Sequence, residues 1–164
     1  MVAVRRLNSV SDGRVGVWNS FPVIVLTQDC DLEQDHRVRR PKSVAKDQDK
    51  ELFSALVAPL YNAEHVFKGE HLSELGRKMM EINRTKTPGT NLMHNETPRF
   101  HYIEFPVQIP IVPSVVDFKH FFSVNLGELT AKKKTNFVCQ VSDLFREDIS
   151  QRFASFLSRI GLPG

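Results

Sequence analysis

Five residues of the types that commonly do chemistry lie within eight positions of one another near the start of the chain. They are Asp29, Cys30, Asp31, Asp35 and His36. Carboxylates, a thiol and an imidazole are the groups that bind divalent metal ions or act as nucleophiles with acid–base partners. The segment therefore predicts a site, and its residue types leave open which of these chemistries the site would use.

The spacing of these residues favours magnesium over zinc. A structural zinc site normally uses paired cysteines, or cysteine and histidine at short regular separations, and Cys30 has no second cysteine nearby. Alternate residues of an extended chain share a face, so Asp29 and Asp31 would converge while Cys30 points the other way. Mg²⁺ binds to one or two carboxylates together with substrate phosphates. Asp29 and Asp31 are thus candidate catalytic residues and candidate Mg²⁺ ligands.

Two other interpretations of this segment remain open. Cys30 would be a nucleophile if an acid–base partner reached it, and the candidate partner is His101 on a later strand. Alternatively, Cys30 is a small buried residue, while Asp29 and Asp31 cap a turn through local backbone hydrogen bonds. In the second case the segment would stabilise the fold without doing chemistry.

A buried strand must position this cluster. Residues 23–26 are apolar with no polar alternation, which is typical of a strand buried on both faces, and Pro22 stands at its first position. A second apolar run at 52–60, stopped by Pro59, predicts a partner strand. The almost wholly polar residues 33–50 between the two runs predict an exposed loop.

The rest of the chain alternates further strands with two helices. Apolar residues spaced by three, four and three positions predict a helix over 70–83, namely Leu72, Leu75, Met79 and Ile82. Residues 84–98 predict a long loop, and residues 100–105, 114–124 and 135–141 predict strands. A C-terminal helix is expected after Ser142, with Ile149 and Phe153 on its apolar face and Gly161 at its end.

Length and composition favour a single domain in a reducing compartment. The 164 residues carry a net charge of +3 and two cysteines, Cys30 and Cys139, that lie far apart. No apolar run approaches the roughly 18 residues that a membrane span needs, and residues 1–7 lack the apolar region of a secretory signal. We therefore expect a cytoplasmic protein without membrane contact, organised as one domain over 1–164 with 63–98 as a helical and loop insertion.

Two basic stretches are candidate nucleic-acid contacts. Their members are Arg37, Arg39, Arg40, Lys42, Lys132, Lys133 and Lys134. Clustered cations of this kind can bind phosphates. Acidic residues at 47, 49 and 51 follow the first stretch at once, so a solvated loop is the alternative interpretation.

The order of elements resembles the PemK/MazF-like toxins. The similar pieces cover about half the chain: the strand at 21–27, the strand end Val57-Ala58-Pro59, the strand at 114–124 and the helix at 144–161. Two segments are also similar to sequences of a little-characterised bacterial group related to this fold. They are Thr-Gln-Asp-Cys-Asp-Leu at 27–32 and the separate segment 145–153. The chain differs from the toxins at two places. Phe21 replaces an arginine, and Leu60-Tyr61 stand where a hydroxyl residue is expected.

The resemblance implies an SH3-like barrel with added helices, and RNA binding or metal-independent RNA cleavage as in toxin–antitoxin systems. Metal-independent cleavage needs a cation and groups that move a proton, and Arg14 or Arg37 would have to replace the missing arginine. We therefore predict an α+β domain, built as a small SH3-like β-barrel or strongly bent sheet with one inserted helix and a C-terminal helix. Its predicted function is nucleic-acid binding in a prokaryotic toxin-like or defence-associated protein.

Two alternative functions follow from the same residues. One is a noncatalytic protein-interaction module, with a protein partner or a second copy of the chain in place of RNA. The other is a metal-dependent hydrolase that uses Asp29 and Asp31.

Overall fold

A computed structural model of the chain describes residues 3–8, 20–39, 48–131 and 137–159. These residues form an α+β fold, as predicted. Its elements in chain order are β1 (Ala3–Asn8), β2 (Ser20–Val25), α1 (Asp29–Val38), β3 (Ser54–Asn62), α2 (Ala63–Phe67), α3 (Gly89–Met93), β4 (Phe100–Ile103), β5 (Ser114–Asp117), β6 (Phe122–Asn125), α4 (Leu126–Ala131), β7 (Phe137–Gln140) and α5 (Asp143–Leu157). The chain divides into two compact units, Met1–Ala58 with Phe121–Ser150, and Pro59–His120 with Gln151–Gly164.

The first unit is built on an antiparallel sheet of five strands. The strands follow the order β7-β1-β2-β3, and β6 also pairs with β3. Strands β7 and β6 do not pair with each other in the described part of the chain. The sheet is therefore open and is not closed into a barrel.

The apolar run at 23–26 forms the centre of this unit, as its composition predicts. Val23, Ile24 and Val25 are at most 1% exposed. Val23 and Val25 pack with Ala55 and Val57 of β3 and with leucines of α4. Burying such aliphatic side chains contributes about 1.5–3 kcal/mol each, so this cluster holds β2 against β3 and α4.

Residues 29–38 form a helix where the sequence predicted first a strand end and then an exposed loop, so that prediction is wrong. The helix has almost no apolar stripe, which is why periodicity did not reveal it. Ion pairs between residues four apart support it instead. Glu33 Oε1 lies 2.5 Å from Arg37 Nη2, and Asp35 Oδ1 lies 2.7 Å from Arg39 Nε.

The Asp35–Arg39 ion pair anchors α1 to the segment before β3. Asp35 is only 4% exposed, and its Oδ1 also accepts the Leu52 N–H at 2.8 Å. Arg39 Nη2 in turn donates to the Leu52 carbonyl at 2.8 Å. Asp35 and Arg39 thus bond to the N–H and the carbonyl of Leu52, respectively, while their own charges neutralise each other.

Replacing Asp35 by Asn should lower the free energy of unfolding by about 1–3 kcal/mol, because Arg39 loses its charge partner and the Leu52 N–H loses a charged acceptor. Glu33→Gln is the matched control, since it removes an exposed i,i+4 pair worth at most about 0.5 kcal/mol. Urea denaturation followed by circular dichroism measures both values. Equal stability of the two variants would contradict the anchoring role of Asp35.

The second unit has a three-stranded antiparallel sheet in the order β4-β5-β3. Tyr61 pairs with Val115 and Phe100 pairs with Asp117, so these four side chains share one face of the sheet. Helices α2 and α3 cover this face through Val66, Phe67 and Leu92. On the opposite face, Phe118 follows β5 and packs against Phe153 and Phe156 of α5, with ring centroids 5.5 and 5.9 Å apart.

Strand β3 runs through Pro59, so the prediction that proline stops it is wrong. Residues 54–57 pair with β6, and the pairing with β5 starts only at Leu60. Pro59 lies between the two ladders, where its missing N–H costs no hydrogen bond to either partner.

The helix predicted over 70–83 is not formed. Only Ser73–Leu75 make a single 3₁₀ turn, which ends at Gly76 with φ of 67°. The chain then returns along α2, because the Met79 N–H donates to the Gly69 carbonyl and the Ile82 N–H to the Phe67 carbonyl. Leu72 and Ile82 reach the core by this return path, whereas Leu75 is 71% exposed. The helical spacing of these apolar residues is therefore coincidental.

Two other predicted elements are divided differently in the structure. The predicted loop 84–98 contains the short helix α3, and the predicted strand 114–124 is interrupted by a 3₁₀ turn at Phe118–His120. Strands β4 and β7 and helix α5 lie within the segments predicted for them. The interruption after β5 places His120 beside the end of that strand.

In the described part of the chain, every helix is too short or too polar to cross a lipid bilayer.

Candidate functional site

Asp29 and Asp31 lie at the start of helix α1 in the first unit. The carboxylate of Asp29 forms an ion pair with the guanidinium of Arg146 on α5, and Arg146 Nη2 lies 3.3 Å from Asp143 Oδ1. The sequence argument assumed an extended chain, but residues two apart in a helix do not face each other. The expectation that Asp29 and Asp31 converge on one face is therefore wrong, and a magnesium site on this pair stays a prediction.

Cys30 is exposed, so the interpretation of this residue as a small buried hydrophobe is wrong. Its Sγ lies 3.5 Å from Gln28 Oε1 and 3.7 Å from Asp31 Oδ1, which are weak thiol hydrogen bonds. Among the described residues, no group of three or more histidine, cysteine, aspartate or glutamate side chains is arranged to hold a metal ion.

The other predicted partner, His101, belongs to the second unit and is 1% exposed. Its ring centroid lies 6.3 Å from that of Phe118, on the face of the sheet that α5 covers. The structure thus places His101 in the core of its own unit, where it helps to pack β4.

The described part of the basic stretches carries neutralised charge. Arg37 pairs with Glu33, and Arg39 pairs with Asp35 and lies 3.6 Å from Glu51. Arg40, Lys42, Lys132, Lys133 and Lys134 lie outside the described residues. Nucleic-acid binding through these loops stays a prediction.

A different group of polar side chains comes together in the second unit, and we call it the Tyr61–His120 cluster. Its members are Tyr61, His71, Arg99, Asp117 and His120. Tyr61 and Asp117 are placed by strands β3 and β5, Arg99 precedes β4, and His120 ends the 3₁₀ turn after β5. The segment between α2 and the 3₁₀ turn brings the ring of His71 into an edge contact with the ring of Tyr61, with centroids 5.0 Å apart.

Asp117 is the centre of the cluster and is fully buried. Its Oδ1 accepts hydrogen bonds from Arg99 Nε at 2.8 Å and from the Lys119 N–H at 3.0 Å, while Oδ2 accepts from Arg99 Nη2. The bidentate pair holds the guanidinium in a fixed plane. Asp117 Oδ2 also lies 3.5 Å from His120 Nδ1.

His120 has the geometry of an acid–base residue. The Tyr61 hydroxyl oxygen lies 3.1 Å from His120 Nδ1, the same nitrogen that faces Asp117. Its other nitrogen, Nε2, has no hydrogen-bond partner among the described residues, and 28% of the side chain is exposed. Two neighbours therefore orient the ring through the same nitrogen, Nδ1.

Tyr61 and His71 both sit in surroundings that disfavour charge. Burial, with the nearby Asp117 carboxylate, raises the pKa of Tyr61 to about 12, so its hydroxyl keeps its proton. Burial lowers the pKa of His71 despite Asp117, and His120 and Arg99 lower it further. Both ring nitrogens of His71 are buried and have no hydrogen-bond partner within the described ranges. An unsatisfied buried polar atom is costly, and a ligand atom would relieve that cost.

The lowered pKa of His71 predicts a specific acid sensitivity. The unfolded chain takes up a proton near pH 6.5, whereas the folded chain resists it. The stability contributed by neutral His71 is therefore complete above pH 6.5 and is lost as the pH falls through its folded pKa. In His71→Phe, which keeps a ring against Tyr61, the loss of melting temperature between pH 7 and pH 5 should be smaller than in the unsubstituted protein.

The matched control for this experiment is His94→Gln, which removes an exposed imidazole of the same unit. This control should keep the pH dependence of the unsubstituted protein. Parallel melting curves for all three proteins between pH 7 and pH 5 would contradict the burial of a neutral His71.

Sequence reasoning missed the Tyr61–His120 cluster, although one signal was present. Five of the six histidines lie between positions 59 and 120. Arg99 and Asp117 are 18 positions apart and meet only because Phe100 pairs with Asp117 across β4 and β5. Strand register of this kind cannot be derived from residue types alone.

Comparisons with known proteins give no further guide to the site, because no family model, no curated protein and no solved structure matches the chain.

Proposed function

We propose that this protein binds RNA and cleaves it without a metal ion, with the Tyr61–His120 cluster as the reaction centre. The observation that carries the proposal is the geometry of His120, whose Nδ1 lies 3.1 Å from the Tyr61 hydroxyl and 3.5 Å from Asp117. The cluster combines a proton acceptor, a proton donor and a fixed cation, which are the groups that metal-free phosphoryl transfer requires.

In the proposed reaction His120 acts first as the base. The neutral imidazole carries its proton on Nδ1, and this proton points to Asp117 or to the Tyr61 oxygen. The unprotonated Nε2 then accepts the proton of a ribose 2′-hydroxyl. The 2′ oxygen then bonds to the adjacent phosphorus. Asp117 favours the resulting imidazolium, as a carboxylate does for an oriented histidine.

Tyr61 completes the proton transfer. The bond from phosphorus to the 5′ oxygen breaks, and that oxygen leaves with the Tyr61 hydroxyl proton. The Nδ1 proton of His120 then returns to Tyr61 across the 3.1 Å contact. His120 thus gains one proton at Nε2 and loses one from Nδ1, which passes to Tyr61. The products are a 2′,3′-cyclic phosphate and a 5′-hydroxyl.

Arg99 is the proposed cation of the site. Asp117 fixes it in a bidentate pair, and 30% of its side chain is exposed. A guanidinium held in this way can stabilise the charge that develops on the phosphoryl oxygens without reorganising. It would replace the arginine that the toxin family carries at the position of Phe21.

The wider prediction of a toxin-like or defence-associated protein is part of this proposal. The order of its elements, which resembles the PemK/MazF-like toxins, supports it, and so does the suitability of the cluster for metal-independent RNA cleavage. A strongly bent sheet of the SH3-like type and a cytoplasmic location belong to the same proposal. The antiparallel five-strand sheet of the first unit, which is open, supports the sheet component of this proposal.

Substitution of the base tests this function. In a buffer that contains EDTA, His120→Asn should reduce the rate of cleavage of a mixed single-stranded RNA by about 10²–10⁴-fold, and Tyr61→Phe should also reduce it. His94→Asn is the matched control, because it removes an exposed histidine of the same unit and should leave the rate unchanged. Cleavage by His120→Asn at the unsubstituted rate would overturn the assignment.

A further inference from the structure

A depression on the second unit carries a second group of polar side chains. It is lined by His65, Glu70, Ser73, Arg77 and Lys78 and has a cavity volume of about 310 Å³. This volume lies at the lower end of the range of small-molecule sites. The depression is therefore large enough for one nucleotide-sized group.

The charges in the depression favour an anionic ligand. Arg77 and Lys78 have no ion-pair partner among the described residues, and Glu70 is the only carboxylate in the lining. Two cations, an imidazole and a hydroxyl form a donor set suited to phosphate oxygens. The oxygens of the Glu70 carboxylate accept hydrogen bonds, so this side chain suits a ligand that also carries hydroxyl groups.

Backbone hydrogen bonds connect most of the residues that line the depression. The Glu70 N–H donates to the His65 carbonyl at 2.7 Å, and the Ser73 N–H donates to the Glu70 carbonyl at 3.0 Å. Arg77 is held by a hydrogen bond from its N–H to the Leu72 carbonyl at 3.2 Å. Most of the lining thus stands on one hydrogen-bonded frame rather than on separate surface loops.

The same frame also carries His71 of the Tyr61–His120 cluster. Glu70 precedes His71 directly, and Leu72 N-caps the 3₁₀ turn that begins with Ser73. His71 packs against Tyr61, while its neighbours Glu70 and Ser73 line the depression. The depression and the Tyr61–His120 cluster are therefore linked by neighbouring residues of one segment.

We infer that this depression binds one nucleotide of an RNA strand, with Arg77 and Lys78 on its phosphate and Glu70 on its ribose hydroxyls. The inference rests on the proposed function for the identity of the ligand as RNA. Its contacts are to phosphate and sugar, so it reads no base and gives affinity and register without sequence preference.

Titration calorimetry with adenosine 5′-monophosphate tests the inference, with adenosine and inorganic phosphate as comparison ligands. The double variant Arg77→Gln with Lys78→Gln should weaken binding of the nucleotide at least tenfold. Lys86→Gln, which removes an exposed cation of the same unit that does not line the depression, should stay within twofold. Adenosine and phosphate should each bind more weakly than the nucleotide, because each lacks half of the contacts.

Repeating the titration in His120→Asn separates this inference from the proposed function. Nucleotide binding that persists while cleavage is lost supports a subsite distinct from the proton-transfer residues. If the unsubstituted protein cleaves RNA but the double variant keeps both its nucleotide affinity and its KM, the subsite is overturned. If the protein fails to cleave RNA but binds the nucleotide through Arg77 and Lys78, the proposed function fails and the phosphate subsite stands.

Discussion

Gly69→Ala should lower the free energy of unfolding by about 2–4 kcal/mol, because two separate costs coincide at this position. Gly69 has a φ of 71°, where a side chain is strained. A Cβ there would also lie 2.2 Å from the Met79 carbonyl oxygen, which is backbone and cannot rotate away. The Met79 N–H donates to the Gly69 carbonyl at 2.7 Å. Moving the two segments apart to make room for the Cβ would therefore break this hydrogen bond.

The matched control is Gly76→Ala in the same segment. Gly76 has a similar φ of 67°, but nothing lies within 4 Å of the Cβ position. Its substitution should therefore cost only about 1–2 kcal/mol of backbone strain, partly offset by reduced freedom of the unfolded chain. Urea denaturation of both variants gives the difference directly. Equal effects would contradict the close approach of residues 69 and 79 and, with it, the return path that positions His71.

Asp117→Asn should have the second large effect, on stability and on activity together. The substitution keeps the size of a fully buried side chain but removes the charge that pairs with Arg99. Breaking a buried pair costs about 3–5 kcal/mol, and the exposure of part of Arg99 reduces the expected loss to about 2–4 kcal/mol. Without the carboxylate, His120 loses its orienting anion, and RNA cleavage should fall by about 10²–10⁴-fold.

Glu104→Gln controls for the loss of a carboxylate in the same unit. Glu104 is exposed and accepts a hydrogen bond from Tyr102 at 2.8 Å, so its substitution should change stability by less than about 1 kcal/mol and leave cleavage unchanged. Activity is compared at a temperature at which circular dichroism shows both variants folded. A folded Asp117→Asn that cleaves at the unsubstituted rate would contradict the role of Asp117 in orienting His120.

Hydrophobic pattern predicted the parts of the fold that depend on burial. Residues 23–25 lie in the core strand β2, residue 26 follows it directly, and Ile149 and Phe153 lie on the buried face of α5, at 1% and 6% exposure. The pattern failed where other forces decide the backbone. Helix α1 is supported by charge pairs, and the segment 70–83 follows a path set by Gly69 and Gly76 at positive φ.

The candidate site was harder to predict than the fold for a related reason. Asp29, Cys30 and Asp31 are adjacent in sequence, which predicts a shared site, yet the helix turns Asp29 and Asp31 to different faces. Tyr61, Arg99 and Asp117 are far apart in sequence and meet through the register of β3, β4 and β5. Nothing in the residue types specifies that register before the strands are paired.

Metal-independent RNA cleavage by this protein can be tested in a single incubation. The unsubstituted protein is incubated in EDTA with an RNA oligonucleotide and with the same sequence made of DNA, and the product ends are identified by mass spectrometry. We predict cleavage of the RNA alone, with 2′,3′-cyclic phosphate and 5′-hydroxyl ends, because the 2′-hydroxyl is the nucleophile. Intact RNA, cleavage of both strands, or cleavage only after Mg²⁺ is added would contradict the claim, and the last result would direct attention to Asp29 and Asp31.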